Sequence, residues 1–422
     1  MRTKDLILGG MLSVVCLSSF GQHAYGQSAY LTEYQRAIQG VLSNIQSSGA
    51  VVASPSQTDP DYYYDWVRDT SLTMKAVVQL AYDSSTPAST RSDLLARIDR
   101  WINWELNLQV VPKLTDLGEP KFYVTGSADN EPWGRPQNDG PALRALTAML
   151  VANQWINQGR LADVQARLYK NELPATTLIK RDLEYVAHHW GDLSFDLWEE
   201  EKAMHFYTLT VQKVALAKGA ALATRLGDND AASFYASQSS AIDQYLGQFF
   251  DTASGTLRYA IDNVNKLPQK TTNLDISLIL AAIHTFDGQF YVKLDQLNPT
   301  VKALVSQFQN SFQINQLKSD SSGTALGVAL GRYPGDTYSG SESASGGNPW
   351  FLSTLALAEF YCDVNKTQNH DQAVAQFNRV LRDMNENGDL SEQFNRENGF
   401  EQSAVNLTWS YTSYITAYRA CF

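Results

Sequence analysis

The chain of 422 residues carries 18% charged and 11% aromatic residues, with 21 tyrosines and 9 tryptophans, which excludes a disordered chain and a small disulfide-stapled scaffold. A formal net charge of −11, with no block of basic residues, argues against nucleic acid or an anionic membrane as partner and favours a neutral ligand. Tyrosine and tryptophan pair an apolar face with a polar tip, which suits them to lining wet clefts.

Residues 1–26 read as a signal peptide. MRTKD gives a charged start, Leu6 to Leu17 a short apolar run, and Ala24-Tyr25-Gly26 a cleavage signal before Gln27. The run is too short for a stable bilayer anchor, so cleavage near Gly26 and secretion are expected. No low-complexity linker divides residues 27–422, which read as one domain.

The segment YYYDWVRDTSL (Tyr62 to Leu72) packs three tyrosines, a tryptophan and the pair Arg68–Asp69 into eleven positions. Arg and Asp can grip adjacent sugar hydroxyls while the aromatics face the apolar side of a ring. An Arg–Asp bridge inside an aromatic core fits equally. Helical spacing follows over Ser71 to Tyr82, with Leu72, Val77, Leu80 and Ala81 on one face. A Trp–Gly–Arg turn in EPWGRPQNDGPALRA (Glu131 to Ala145) opens the next helix, with Asp139 as its cap and Pro141 in its first turn.

Further helices are predicted over 171–190, 205–225, 230–250, 275–286, 300–313, 348–363, 370–385 and 403–419, punctuated by Gly, Asn, Asp and Pro clusters. His188 and His189 lack a zinc-site pattern. TLRYAI (Thr256 to Ile261) is the best strand candidate. With no regular strand–helix alternation, the chain reads as all-α; periodicity leaves a bundle, a solenoid and a toroid of helical hairpins open.

FDLWEEEKAMHFYT (Phe195 to Thr208) places four carboxylates in six positions beside Trp198. On a helix or helix-like turn Asp196 and Glu199 share a face, with Glu200 four from Asp196. Desolvation and like charge both raise a carboxyl pKa, the condition for a general acid near neutrality. A solvated helix start is the commoner use of such a run. GRYPGDTYSGSESASGGNPWF (Gly331 to Phe351) sets Arg332 among aromatics around a Gly/Ser loop, without the Lys–Ser/Thr of a phosphate cradle. In NENGDLSEQFNRENGFEQSAVNLTWSY (Asn385 to Tyr411), Glu392 leaves a turn with Gln393 beside it and can activate a water; an ordinary surface loop reads the same way. Cys362 and Cys421 can pair in an oxidising compartment or remain buried thiols. No metal site or cofactor is read from the sequence.

Taken in order, PDYYYDWVRD, GEPKFYVTGSADNEPWGRPQNDGPALRA, DLEYVAHHWGDLSFDLWEE, GRYPGDTY with GNPWFL, and LSEQFNR with LTWSY resemble the eukaryotic-type glucoamylases, glycoside hydrolase family fifteen. The resemblance runs from about Pro60 to Tyr411. It implies an (α/α)6 barrel with a pocket at one end, and release of glucose from non-reducing ends of starch-type α-glucans with inversion. It implies Glu199 as general acid and Glu392 as general base. It also implies Arg68, Asp69 and Arg332 as holders of the terminal glucose, and Tyr62, Trp66, Trp133, Arg135 and Trp198 as pocket walls. Glu200 would contact the next sugar, Gln393 support the base and Asp196 modulate the acid. EKAMH after the acidic pair, Asp65 and the SGSESASGG loop depart from the family's pattern. A monomer without a starch-binding module is expected, handling soluble dextrins better than granules. A trehalase- or glucodextranase-like specificity on the same acid and base, or a glycan-binding protein without catalysis, are the rival readings.

Overall fold

The computed structural model describes residues 17–340 and 346–422, with side chains from residue 26. The signal-peptide reading therefore rests mostly outside the described residues, as does the middle of the SGSESASGG loop.

The helices are α1 (Leu17–Asn44), α2 (Val67–Ala81), α3 (Ala88–Leu108), α4 (Gly140–Asn157), the single turn α5 (Leu161–Asp163), α6 (Leu178–His189), α7 (Phe206–Arg225), α8 (Asn229–Leu246), α9 (Ser277–Thr285), α10 (Leu294–Ser311), α11 (Phe351–Asp383) and α12 (Thr408–Cys421). Asn365 leaves helical geometry and divides α11 in two. Its Oδ1 accepts the Gln368 N–H at 3.1 Å, capping the second half.

Two kinds of helix alternate along the chain. In α2, 13 of 15 residues are buried, and in α9 all but His284, so these helices are covered on every side. In α8 only 5 of 18 residues are buried, a single stripe. Packing follows this division: α2, α4, α7, α9, α11 and α12 each lie against the next, and α12 returns to α2, closing an inner ring. Around it α3 lies on α2, α6 on α4, α8 on α7, α10 on α9 and α1 on α12. The second half of α11 buries one stripe, including Phe377 against Tyr414 of α12. The result is an (α/α)6 barrel.

A disulfide joins Cys362 of α11 to Cys421 at the end of α12, which decides between the two thiol readings. Short antiparallel strand pairs occupy the loops between helices. Tyr64–Trp66 pairs with Lys121–Tyr123, Ser194–Phe195 with Lys202–His205, and Gln393–Phe394 with Glu401–Gln402. Each pair lies in a segment leading into the N-terminus of an inner helix, the end where orphan N–H groups and partial positive charge collect.

Several expectations need correction. Neither α1 nor α3 is among the predicted helices, and α10 starts at Leu294 with Pro299 inside it, before the predicted 300. The 171–190 helix starts only at Leu178. Thr256–Ile261 is two short strands in different sheets. For the acidic run Asp196–Glu201 the turn, not the helix, is the alternative found: it joins strands Ser194–Phe195 and Lys202–His205, with the Glu199 N–H on the Asp196 carbonyl and Glu199 at φ 68°.

Candidate active site

The first turn of α2 brings Arg68 and Asp69 to the open end of the ring, directly after Trp66. Both are buried. Arg68 donates to Gln137 Oε1 at 2.9 Å and lies 3.4 Å from carboxylate oxygens of Asp69 and Asp139. Its guanidinium sits over the Trp409 ring. Burial pushes the Asp69 pKa up to about 6; Arg68 opposes this while Glu199 and Asp139 add to it.

The tight turn carrying Glu199 is held by Asp196, whose Oδ1 accepts the backbone N–H groups of Glu200 (2.7 Å) and Glu201 (3.0 Å). Asp196 is thus spent on backbone. Glu199 Oε1 accepts from the Trp66 indole at 2.7 Å and the Gln137 amide at 3.0 Å, with Arg68 at 3.8 Å. The Trp133–Gly134 loop lies on this turn so closely that a Cβ at Gly134 would stand 2.7 Å from the Glu199 carbonyl oxygen. Glycine is required there.

Glu200 takes two donors, Arg332 at 2.8 Å and the Tyr333 hydroxyl at 2.8 Å. Asp336 grips Arg332 from behind at 2.8 and 2.7 Å, a fork-to-fork pairing. Burial raises the Glu200 pKa, countered by Arg332 and Tyr333.

Glu392 enters from the loop before α12 and is 1% exposed. Oε2 accepts from the Gln393 amide at 3.0 Å and from the Ser403 hydroxyl. Gln393 is itself held by Asn348 at 3.0 Å. Burial pushes the Glu392 pKa up, while Ser403, Tyr62, Arg332 and Gln393 pull it back. The Tyr62 and Tyr338 hydroxyls are bonded at 2.6 Å beside it.

Glu199 and Glu392, 193 positions apart in sequence, line one cavity of about 790 Å3. Tyr62, Trp66, Arg68, Asp69, Trp133, Trp198, Glu200 and Arg332 line it with them. Three residues expected at the site do not: Asp196 and Gln393 stand behind the two glutamates, and Arg135 ties Glu119 (2.8 Å) to the carbonyls of Glu131 and Asp129. Arg135 organises the Trp133 loop from the far side. Sequence reasoning missed Tyr338, Trp350 and Trp409 in the wall, Gln137 bridging Arg68 and Glu199, and Ser403. The available signal was an aromatic at the entry of an inner helix: Trp350 directly precedes α11 and Trp409 is the second residue of α12.

The glycosyl hydrolases family 15 model matches residues 28–419. The chain belongs to that family. Among family 15 relatives, it is 35% identical over 418 aligned positions to a glucoamylase of Blastobotrys adeninivorans, covering 87% of this chain and 66% of that protein. It is 31% identical over 470 positions to a probable glucoamylase of Schizosaccharomyces pombe, covering 98% and 96%. The glucoamylase structure from Saccharomycopsis fibuligera superposes with a TM-score of 0.81 at 28% identity, over 94% of this chain and 95% of that one. This family 15 chain is therefore a glycoside hydrolase of glucoamylase type.

Proposed function

We propose that the protein releases β-glucose from the non-reducing ends of α-1,4-linked glucans, and more slowly cleaves α-1,6 links, by inversion. The observation that carries this reading is the convergence of Glu199 and Glu392, from loops before α7 and α12, on one cavity that also holds Arg68, Asp69 and Arg332. A pocket lined at the first turns of inner helices, by Arg68 and Asp69 of α2 and Trp409 of α12, suits attack at a chain end. For inversion the two carboxyl groups stand ~6.5–9.5 Å apart, leaving room for a water on the far face of the sugar.

Glu199 acts as general acid, protonating the leaving glycosidic oxygen. Its Oε1 is held by Trp66 and Gln137, which leaves Oε2 as the proton-bearing atom. Glu392 takes the proton of the attacking water; the Gln393 amide and the Ser403 hydroxyl donate to one carboxylate oxygen and fix its plane. Arg68, Asp69 and Arg332 convert sugar binding into orientation of the anomeric carbon. Export by the N-terminal segment places the enzyme with extracellular starch, glycogen and maltooligosaccharides.

Maltoheptaose digestion followed by NMR of the first anomer tests activity, attack position and stereochemistry together. β-Glucose is expected; α-glucose, or maltotriose-sized products, refutes the proposal. Glu199→Gln and Glu392→Gln should each lower kcat by ~10² or more. Near-normal turnover in either folded variant removes that residue from its role. Assays on trehalose and on an α-1,6-glucan separate the rival specificities.

A further inference from the structure

Lys270 is fully buried, yet no step described above uses it. Its ammonium lies between two tyrosine rings, 3.8 Å from the Tyr259 centroid and 4.1 Å from the Tyr333 centroid. It pairs with Asp275 Oδ2 at 2.7 Å and faces Glu201 Oε2 at 3.5 Å. Each partner leads to the pocket. Asp275 accepts the Trp198 indole N–H at 3.1 Å, Tyr333 donates to Glu200, and Glu201 adjoins Glu200 in the chain.

The rest of the Lys270 loop reinforces this grip. Asn265 Nδ2 donates to the Glu200 carbonyl at 3.0 Å, Asn265 Oδ1 accepts the Lys202 N–H, and the Leu267 N–H donates to Glu201 Oε1 at 2.7 Å. The segment 265–275 thus holds the C-terminal half of the acidic turn, at Glu200, Glu201 and Lys202, and Trp198 through Asp275. Moving a cation into such a site is costly unless neighbouring anions and ring faces offset it; here Asp275, Glu201 and the Tyr259 and Tyr333 rings surround it.

We propose that Lys270 is a positioning residue for the second sugar: by holding Asp275, Tyr333 and Glu201 it fixes Trp198 and Glu200, the wall beyond the terminal-glucose grip of Arg68 and Asp69. This rests on the function proposed above. That function stands or falls separately, on whether the unaltered enzyme makes β-glucose.

The prediction is a split between ligands that reach the second position and those that do not. In Lys270→Met the KM for maltose rises about tenfold, while inhibition by 1-deoxynojirimycin, a glucose-sized iminosugar, changes less than about twofold. Asn265→Ala, at an exposed site, shifts KM in the same direction by a smaller factor and serves if Lys270→Met does not fold. Lys270→Arg, which keeps the charge, recovers part of the maltose affinity. A purely structural lysine lowers melting temperature and active fraction without separating the two ligands. Equal shifts for maltose and iminosugar, or unchanged KM in folded Lys270→Met and Asn265→Ala, overturn the proposal.

Discussion

Glu392 shows how single contacts set the proposed chemistry. Burial raises its pKa, and the Ser403 hydroxyl is the foremost of the groups that lower it again. A base must be ionised to act, so activity rises with pH through this pKa. Ser403→Ala removes a donor to the charged form; the Glu392 pKa climbs, and the acid limb of kcat/KM moves to higher pH by about one unit. An unmoved acid limb in the folded variant would show that Ser403 does not tune the base. Much at this scale was legible: Glu199, Glu392, Arg68, Asp69, Arg332 and Trp198 were named from local motifs and meet at one cavity. Ser403 was not, because nothing adjacent to it marks a contact made across a hairpin register, Gln393 opposite Gln402. The positive φ of Glu199 was equally invisible, since glutamate carries no preference for it.

Helix periodicity located most elements but not their ends. The inner helix α9 carries an unbroken apolar run from Leu278 to Ile283 that marks it plainly, whereas α3 spreads Leu94, Ile98, Trp101, Ile102, Glu105 and Leu108 among charges, which blurs its stripe. The sequence predicts two separate helices, 348–363 and 370–385, and Asn365 supplies the break between them. Packing between rings depends on small residues that periodicity ignores. Gly219 of α7 faces Leu183 of α6, and a Cβ there would lie 2.5 Å from a Leu183 methyl. Alanine gains about 1 kcal/mol of helix propensity, but overpacking costs about 1–3 kcal/mol. Gly219→Ala should therefore lower the melting temperature while leaving kcat/KM of the folded enzyme intact; a raised melting temperature would mean that Leu183 repacks freely.

Closure of the ring was the part least accessible to the sequence, because α2 and α12 meet only after more than three hundred residues have intervened. Buried hydroxyls (Thr73 of α2 and Thr412 of α12 at 3.2 Å) meet across that seam, and the Cys362–Cys421 bond ties α12 to its other inner neighbour, α11. The same closure traps acids at low dielectric. Glu33 of α1 is 1% exposed with both carboxylate oxygens lacking a hydrogen bond among the described residues. Burial pushes its pKa from 4.5 to about 7; Arg36 opposes this, and Asp389 and Glu401 add to it. Burial likewise raises Asp383 from 3.8 to about 6, against Arg379 and Arg382, and lifts Glu359 and Asp363 against Lys75. For each acid the folded pKa exceeds the unfolded one, so the folded state binds the proton more tightly. Their stabilisation is full below the unfolded values and is lost as pH rises through the folded ones. Melting temperature should thus decline between pH 5 and pH 8, and Glu33→Gln, which cannot ionise, should flatten that decline. Calorimetry giving parallel curves for both proteins across this range would mean that Glu33 finds solvent or a counter-charge when it ionises.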